Sequence, residues 1–101
     1  MAKRIRWTFE AEETFERVIA YLEQEWSEKE IIRFVRSTEK ILQLISHYPE
    51  IFRRSGKQKN VHEALVTRHN LLLNKVYPRH IDLLVFWDTR QNPRENKTGT
   101  I

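Results

Sequence analysis

After a short opening segment, the apolar residues of this chain change their spacing once, and that change restricts the fold more than any other feature. From Phe15 to Pro49 they recur every three or four residues; after Asn60 they alternate or fall in short runs. The first pattern belongs to helices that bury one stripe, and the second to strands. A helical half followed by a strand-rich half points to the α+β class, with the helices gathered on one side of an antiparallel sheet.

Local signals place the elements. Ile5 and Trp7 alternate with Arg4, Arg6 and Thr8, which reads as a short strand with one buried face. Thr8 then offers an N-cap oxygen, and Glu10, Glu12 and Glu13 crowd the turn where a helix dipole favours carboxylates. Phe15, Val18, Ile19, Leu22 and Trp26 keep helical spacing, so the first helix is expected over residues 9–25. Ser27-Glu28-Lys29-Glu30 has the form of a capping box, with Trp26 and Ile31 as its hydrophobic staple. Phe34, Val35, Ile41, Leu42, Ile45 and Tyr48 carry the second stripe to Pro49, which cannot continue the backbone ladder. Two helices joined this tightly form an antiparallel hairpin. Phe15, Ile19, Leu22, Phe34, Ile41 and Ile45 are its core face.

Between Pro49 and Asn60 the periodicity stops, and Arg53, Arg54, Lys57 and Lys59 surround Ser55-Gly56 in what reads as an exposed basic loop. Three strand-like runs follow, Val61 to Thr67, Leu71 to Tyr77 and Ile81 to Trp87, and their short connections imply an antiparallel meander. Leu83 to Trp87 is apolar at consecutive positions, so the last strand is expected inside the sheet and covered on both faces. The resulting order is β-α-α-β-β-β. Residues 1–93 are expected to form one domain, and 94–101, with nothing to build a core, a flexible tail.

Composition narrows the function. The chain has 101 residues and no cysteine, which excludes disulfides, thiolate metal sites and a cysteine nucleophile and fits a reducing cytoplasm. No apolar run is long enough to span a membrane, and the basic amino terminus lacks the apolar stretch of a secretory signal. Residues 1–50 hold eight Lys or Arg against ten Asp or Glu, whereas residues 51–101 hold ten against four. The second half is the basic half, a field that suits nucleic acid, a ribosome or an acidic protein.

Taken in order, several segments resemble the RelE/ParE toxin family. They are Thr8-Phe9-Glu10-Ala11, Tyr21-Leu22 before Trp26-Ser27, Leu44 to Pro49, His69-Asn70-Leu71-Leu72 with Lys75-Val76, and the closing Phe86-Trp87-Asp88-Thr89-Arg90-Gln91-Asn92-Pro93. The resemblance implies the toxin of a type II toxin-antitoxin (plasmid stabilisation) module. It also implies an operon-encoded antitoxin, acidic and with its own DNA-binding domain, that wraps and silences the toxin. RelE-like members resemble ribosome-dependent messenger RNA endonucleases that use Lys and Arg, often with a Tyr or His near the carboxyl terminus. ParE-like members share the fold without that set and are associated with inhibition of DNA gyrase. This chain has no Tyr or His beyond His80, and Asp88 stands where many relatives carry His, so its ending looks more ParE-like.

Cleavage of RNA through its 2′-hydroxyl needs a base, an acid and a cation at one phosphate. Lys57, Lys59, His62, Lys75 and Arg90 are the candidates for these catalytic tasks; Arg53, Arg54, Lys57, Lys59 and Arg90 are the candidates for binding a target or nucleic acid. The plain alternatives are solvated loop lysines, a strand-surface His62, and an Arg90 that pairs with Asp88 or caps the first helix. His47, His62, His69 and His80 lack the spacing of a metal site, so no metal or cofactor is expected. Trp7, Trp26 and Trp87 raise a third reading, a non-catalytic RNA-binding module, but they lack the paired arrangement of an RNA-recognition sheet.

Overall fold

The computed structural model describes residues 2–56 and 58–90. A first strand, β1 (Arg4–Trp7), leads into helices α1 (Phe9–Glu25) and α2 (Glu28–His47). A single 3-10 turn at Pro49–Ile51 follows, then strands β2 (Arg53–Arg54), β3 (Val61–Thr67), β4 (Asn70–Val76) and β5 (His80–Asp88). This is the expected α+β architecture. The tail beyond residue 90, including Gln91-Asn92-Pro93, lies outside the described residues.

The five strands form one sheet in the order β1-β5-β4-β3-β2. The meander is antiparallel, but β1 runs parallel to β5, so the sheet is mixed. Alternation in a single strand says which residues share a face and nothing about direction, and here the two-helix crossover returns the chain to the same end of the sheet. The expected basic loop is in part ordered backbone: Arg53 and Arg54 pair with Glu63 and His62 as an edge strand. Gly56 and Asn60, both with φ near +60°, supply the left-handed positions that close the turn between β2 and β3.

Thr8 caps α1 as expected, its Oγ1 accepting from the Ala11 N–H at 3.1 Å. Ser27 occupies the N-cap of α2, but its side chain makes no capping bond. Its carbonyl instead accepts from the Glu30 N–H at 3.0 Å, and Trp26 stays 57% exposed, so the expected capping box is not formed.

The core lies between the helical hairpin and one face of the sheet. Ala11, Phe34 and Ile45 from the helices meet Ala64, Val66, Leu72, Ile81, Leu83 and Phe86, with Phe15, Ile19, Leu22 and Ile41 packed around them. Trp7, Phe15, Phe34 and Phe86 form a ring cluster with centroids 5.3–6.1 Å apart, at separations where aromatic pairs attract beyond their buried area. The consecutive apolar run of β5 has a different cause from the expected double cover. Asn74 pairs with Leu83 and Leu73 with Val85, which leaves Leu84 as an extra residue. That bulge flips the alternation, so Leu83 and Phe86 both face the helices while β5 lies between β1 and β4.

Candidate functional site

With the helices on one side, the other face of the sheet is open, and register assigns its residues. Arg4 stands beside His80, and Arg6 beside Asp82, which is in turn opposite Lys75. Further along the same face come Leu73 and Val85, then Leu71 and Trp87. Leu65, opposite Leu71, is 56% exposed. One end of the open face is therefore rich in cations and the other apolar, with Glu63, opposite Leu73 and beside Arg53, toward one edge between them.

The cationic end is organised around a single acid. Arg6 grips Asp82 with a two-pronged pair, Nε to Oδ1 at 2.9 Å and Nη2 to Oδ2 at 3.0 Å. His80 Nε2 lies 3.3 Å from Asp82 Oδ1 without a well-directed hydrogen bond. The His80 ring stacks on Tyr77, 4.6 Å between centroids and 14° between planes. The Lys75 ammonium sits 5.4 Å from the Tyr77 centroid, and Lys3 Nζ donates to the Tyr77 carbonyl at 2.9 Å. Contacts thus run unbroken from Lys75 through Tyr77, His80 and Asp82 to Arg6. The Asp82 side chain is 9% exposed and that of Arg6 61% exposed, so the surface presents the cation and hides the anion.

The residues singled out from sequence are not gathered at one point. His62 is buried on the opposite, helix-facing side, beside Asn74, and cannot meet a ligand on the open face; it is not the strand-surface residue expected. Its Nδ1 and the Asn74 Oδ1 are both buried without a hydrogen-bond partner. Lys57 lies outside the described residues. Lys59 is exposed next to Asn60, whose carbonyl accepts from the Val76 N–H, which puts Lys59 at the same end of the sheet as Lys75. Arg53 and Arg54 lie on the far edge strand, both exposed.

Arg90 is at the other end. Its Nε and Nη2 donate to the two Asp88 oxygens at 3.2 and 3.1 Å, and its guanidinium lies 5.2 Å from the centroid of the Tyr21 ring on α1. Burial pushes the Asp88 carboxyl up, but hydrogen bonds from the Arg90 side chain and backbone outweigh it and hold the group below its ordinary value. The same side-chain bond raises Arg90 in turn. Asp82 and Asp88 are six residues apart along β5, so Lys75 and Arg90 stand roughly 17–20 Å apart at about 3.3 Å per residue. Sequence reasoning missed Arg4, Arg6, Tyr77, His80 and Asp82 as a group. The only hint of it is the shared parity of Arg4 and Arg6 in β1.

No protein-family model matches the chain, and no curated protein sequence matches it. Solved structures do. A chain of the chromosomal ParDE TA system from P. aeruginosa superposes with a TM-score of 0.72 at 11% identity, over 86% of this chain and 96% of that one. The YoeB dimer from Staphylococcus aureus gives 0.59 at 15% identity, over 84% and 94%. A chain of the E. coli DinJ-YafQ toxin-antitoxin complex gives 0.62 at 10% identity, over 91% and 98%. The chain therefore shares the fold of these three chains along nearly their whole length.

Proposed function

We propose that this protein is the toxin of a type II toxin-antitoxin pair, held inactive by an acidic antitoxin and acting in the cytoplasm on DNA gyrase, as ParE-like toxins do. The observation that supports a non-cleaving toxin is the scatter of the candidate acid-base groups. General acid-base catalysis needs its groups within hydrogen-bond reach of the reacting atoms. Yet among the described residues His62 faces the helices, Lys75 and Lys59 stand at one end of the sheet, and Arg90 is roughly 17–20 Å away at the other, already forked onto Asp88. An inhibitor that only binds needs a surface and no such convergence.

A RelE-like endonuclease is the second reading, favoured by one observation: Lys75 and His80 share the open face, with Asp82 against the imidazole. Purified protein added to a gyrase supercoiling reaction, and separately to ribosomes translating a message with mapped ends, decides between them. Loss of supercoiling with the message intact is the expected result. Cuts in the message that vanish in Lys75→Ala or His80→Ala, with supercoiling untouched, would replace the first reading with the second.

A further inference from the structure

We propose that Lys3 is a positioning residue of the open face: it ties the last turn of α2 to the turn between β4 and β5, and so fixes where that turn sets Tyr77 and His80. This role rests on the open face meeting the target, under either reading of what the target is. Bonds to two elements distant in sequence converge on Lys3. Its backbone N–H donates to the Ser46 carbonyl at 2.9 Å, and its carbonyl accepts from the Ser46 hydroxyl at 2.7 Å, in the last turn of α2. Its ammonium donates to the Tyr77 carbonyl at 2.9 Å. Among the described residues no carboxylate stands within ion-pair distance of Lys3, so the charge is spent on a backbone carbonyl.

A lysine loses more rotamer freedom than most residues when it is fixed, and a charge-assisted bond to a carbonyl is strong enough to offset that loss. What the bond holds is a turn with little else to restrain it. Tyr77 N–H donates to the His80 carbonyl at 2.8 Å, and Pro78 and Arg79 between them are exposed. Lys3 precedes the Arg4–His80 pair by one residue, which places it beside this loop. Holding the Tyr77 carbonyl fixes the peptide plane through which β4 enters the turn. The two rings at the ends of the turn then stack, 4.6 Å between centroids and 14° between planes, with Lys75 drawn to one ring and Asp82 beside the other. A displaced turn would move both rings together. Site side chains need to be held to about 0.5 Å by the bonds around them, and here a residue of β1 anchored on α2 supplies the restraint.

Proton NMR of the full chain tests this through the His80 ring, whose resonances are shifted upfield by the stacked Tyr77. Spectra are taken at about pH 8.5, above the usual histidine range, and Tyr77→Leu gives the unstacked reference. Lys3→Met keeps the length and removes the donor, and should move the His80 resonances downfield toward that reference. Lys3→Arg, which can still donate, should restore them, and Ser46→Ala should move them the same way by a smaller amount. Thr8→Ala loosens the chain beyond the other end of β1 and should leave them in place. Inhibition is measured in parallel, in whichever of the supercoiling and translation reactions the parent blocks. The concentration needed should rise at least about threefold in Lys3→Met, in proportion to the fraction of molecules that lose the ordered pair, and return in Lys3→Arg. Thermal melts confirm that each variant is folded. The proposal is overturned if Lys3→Met leaves the His80 resonances at the parent positions, if Thr8→Ala moves them as far, or if they move while inhibition stays the same. A parent that blocks neither reaction would sink the functional reading, and the resonances would still decide whether Lys3 places the pair.

Discussion

The backbone N–H of Phe86 donates to the Thr14 hydroxyl oxygen across 2.9 Å, tying the middle of β5 to α1. Pairing between β1 and β5 ends at Trp7 and Leu83, where β1 gives way to the Thr8 cap. Beyond that point β5 has lost its neighbour, and the bulge at Leu84 disturbs the ladder further. Thr14, 8% exposed, takes over as acceptor while donating its own proton to the Glu10 carbonyl at 2.8 Å. A buried amide that would otherwise be orphaned is satisfied by a helix side chain.

Thr14→Val keeps the shape and removes the acceptor. It should cost about 1–3 kcal/mol, because the Phe86 amide is left buried and unpaired. At about 4–8 °C per kcal/mol for a domain near this size, the melting temperature should fall by several degrees at least. Thr14→Ser should retain most of the stability. A valine variant that melts with the parent would show that the amide finds another partner.

The two helix starts should respond unequally to the same substitution. Thr8 accepts from Ala11 N–H and donates to the Leu83 carbonyl at 2.7 Å, so Thr8→Ala removes a cap and a link to β5 and should cost roughly 1–2 kcal/mol. Ser27 makes no side-chain capping bond, and Ser27→Ala should cost at most about 0.5 kcal/mol. Urea unfolding of the pair checks the order; equal losses would mean the Ser27 hydroxyl does cap α2 in solution.

Much of this fold was legible because its signals are local. Thr8 and the stripe from Phe15 to Leu22 located α1, and the run from Val61 to Thr67 located β3. What stayed hidden depends on partners distant in sequence. A two-residue edge strand such as Arg53–Arg54 has no period to detect, and the parallel direction of β1 is set by β5, some 76 residues away. The site was harder to read than the fold. Charge marked Lys75 and Arg90 as candidates without showing that they stand at opposite ends, and His62 and Lys75 fall on opposite faces through register that no residue type announces.

The Arg90–Asp88 fork makes a pH-dependent contribution whose sign follows from the Asp88 shift. A carboxyl held below its ordinary value stabilises the folded state when ionised, so the gain is present above about pH 4, its usual unfolded range, and lost as pH falls through the lower folded value. The Arg90 side chain is 41% exposed, which keeps the pair to about 0.2–1 kcal/mol. Arg90→Ala should therefore melt slightly below the parent at neutral pH, and the two curves should converge once the pH falls below the lowered Asp88 value. A difference that persists unchanged into acid would assign the effect to the contact with Tyr21 instead.

The Arg6–Asp82 pair should be asymmetric, because its partners differ in burial. Arg6→Ala leaves a carboxylate whose side chain is 9% exposed without its main counter-charge, and should cost about 1–3 kcal/mol. Asp82→Val leaves a guanidinium that is 61% exposed and can be solvated where it stands, so its loss should be smaller. Once the carboxylate is gone, removing Arg6 as well should add little, and the double variant should unfold close to Asp82→Val alone. A double-mutant cycle in urea measures this coupling directly. If Asp82→Val proves the costlier single change, the buried carboxylate is needed for more than its bond to Arg6, and its contact with His80 at 3.3 Å becomes the interaction to dissect next.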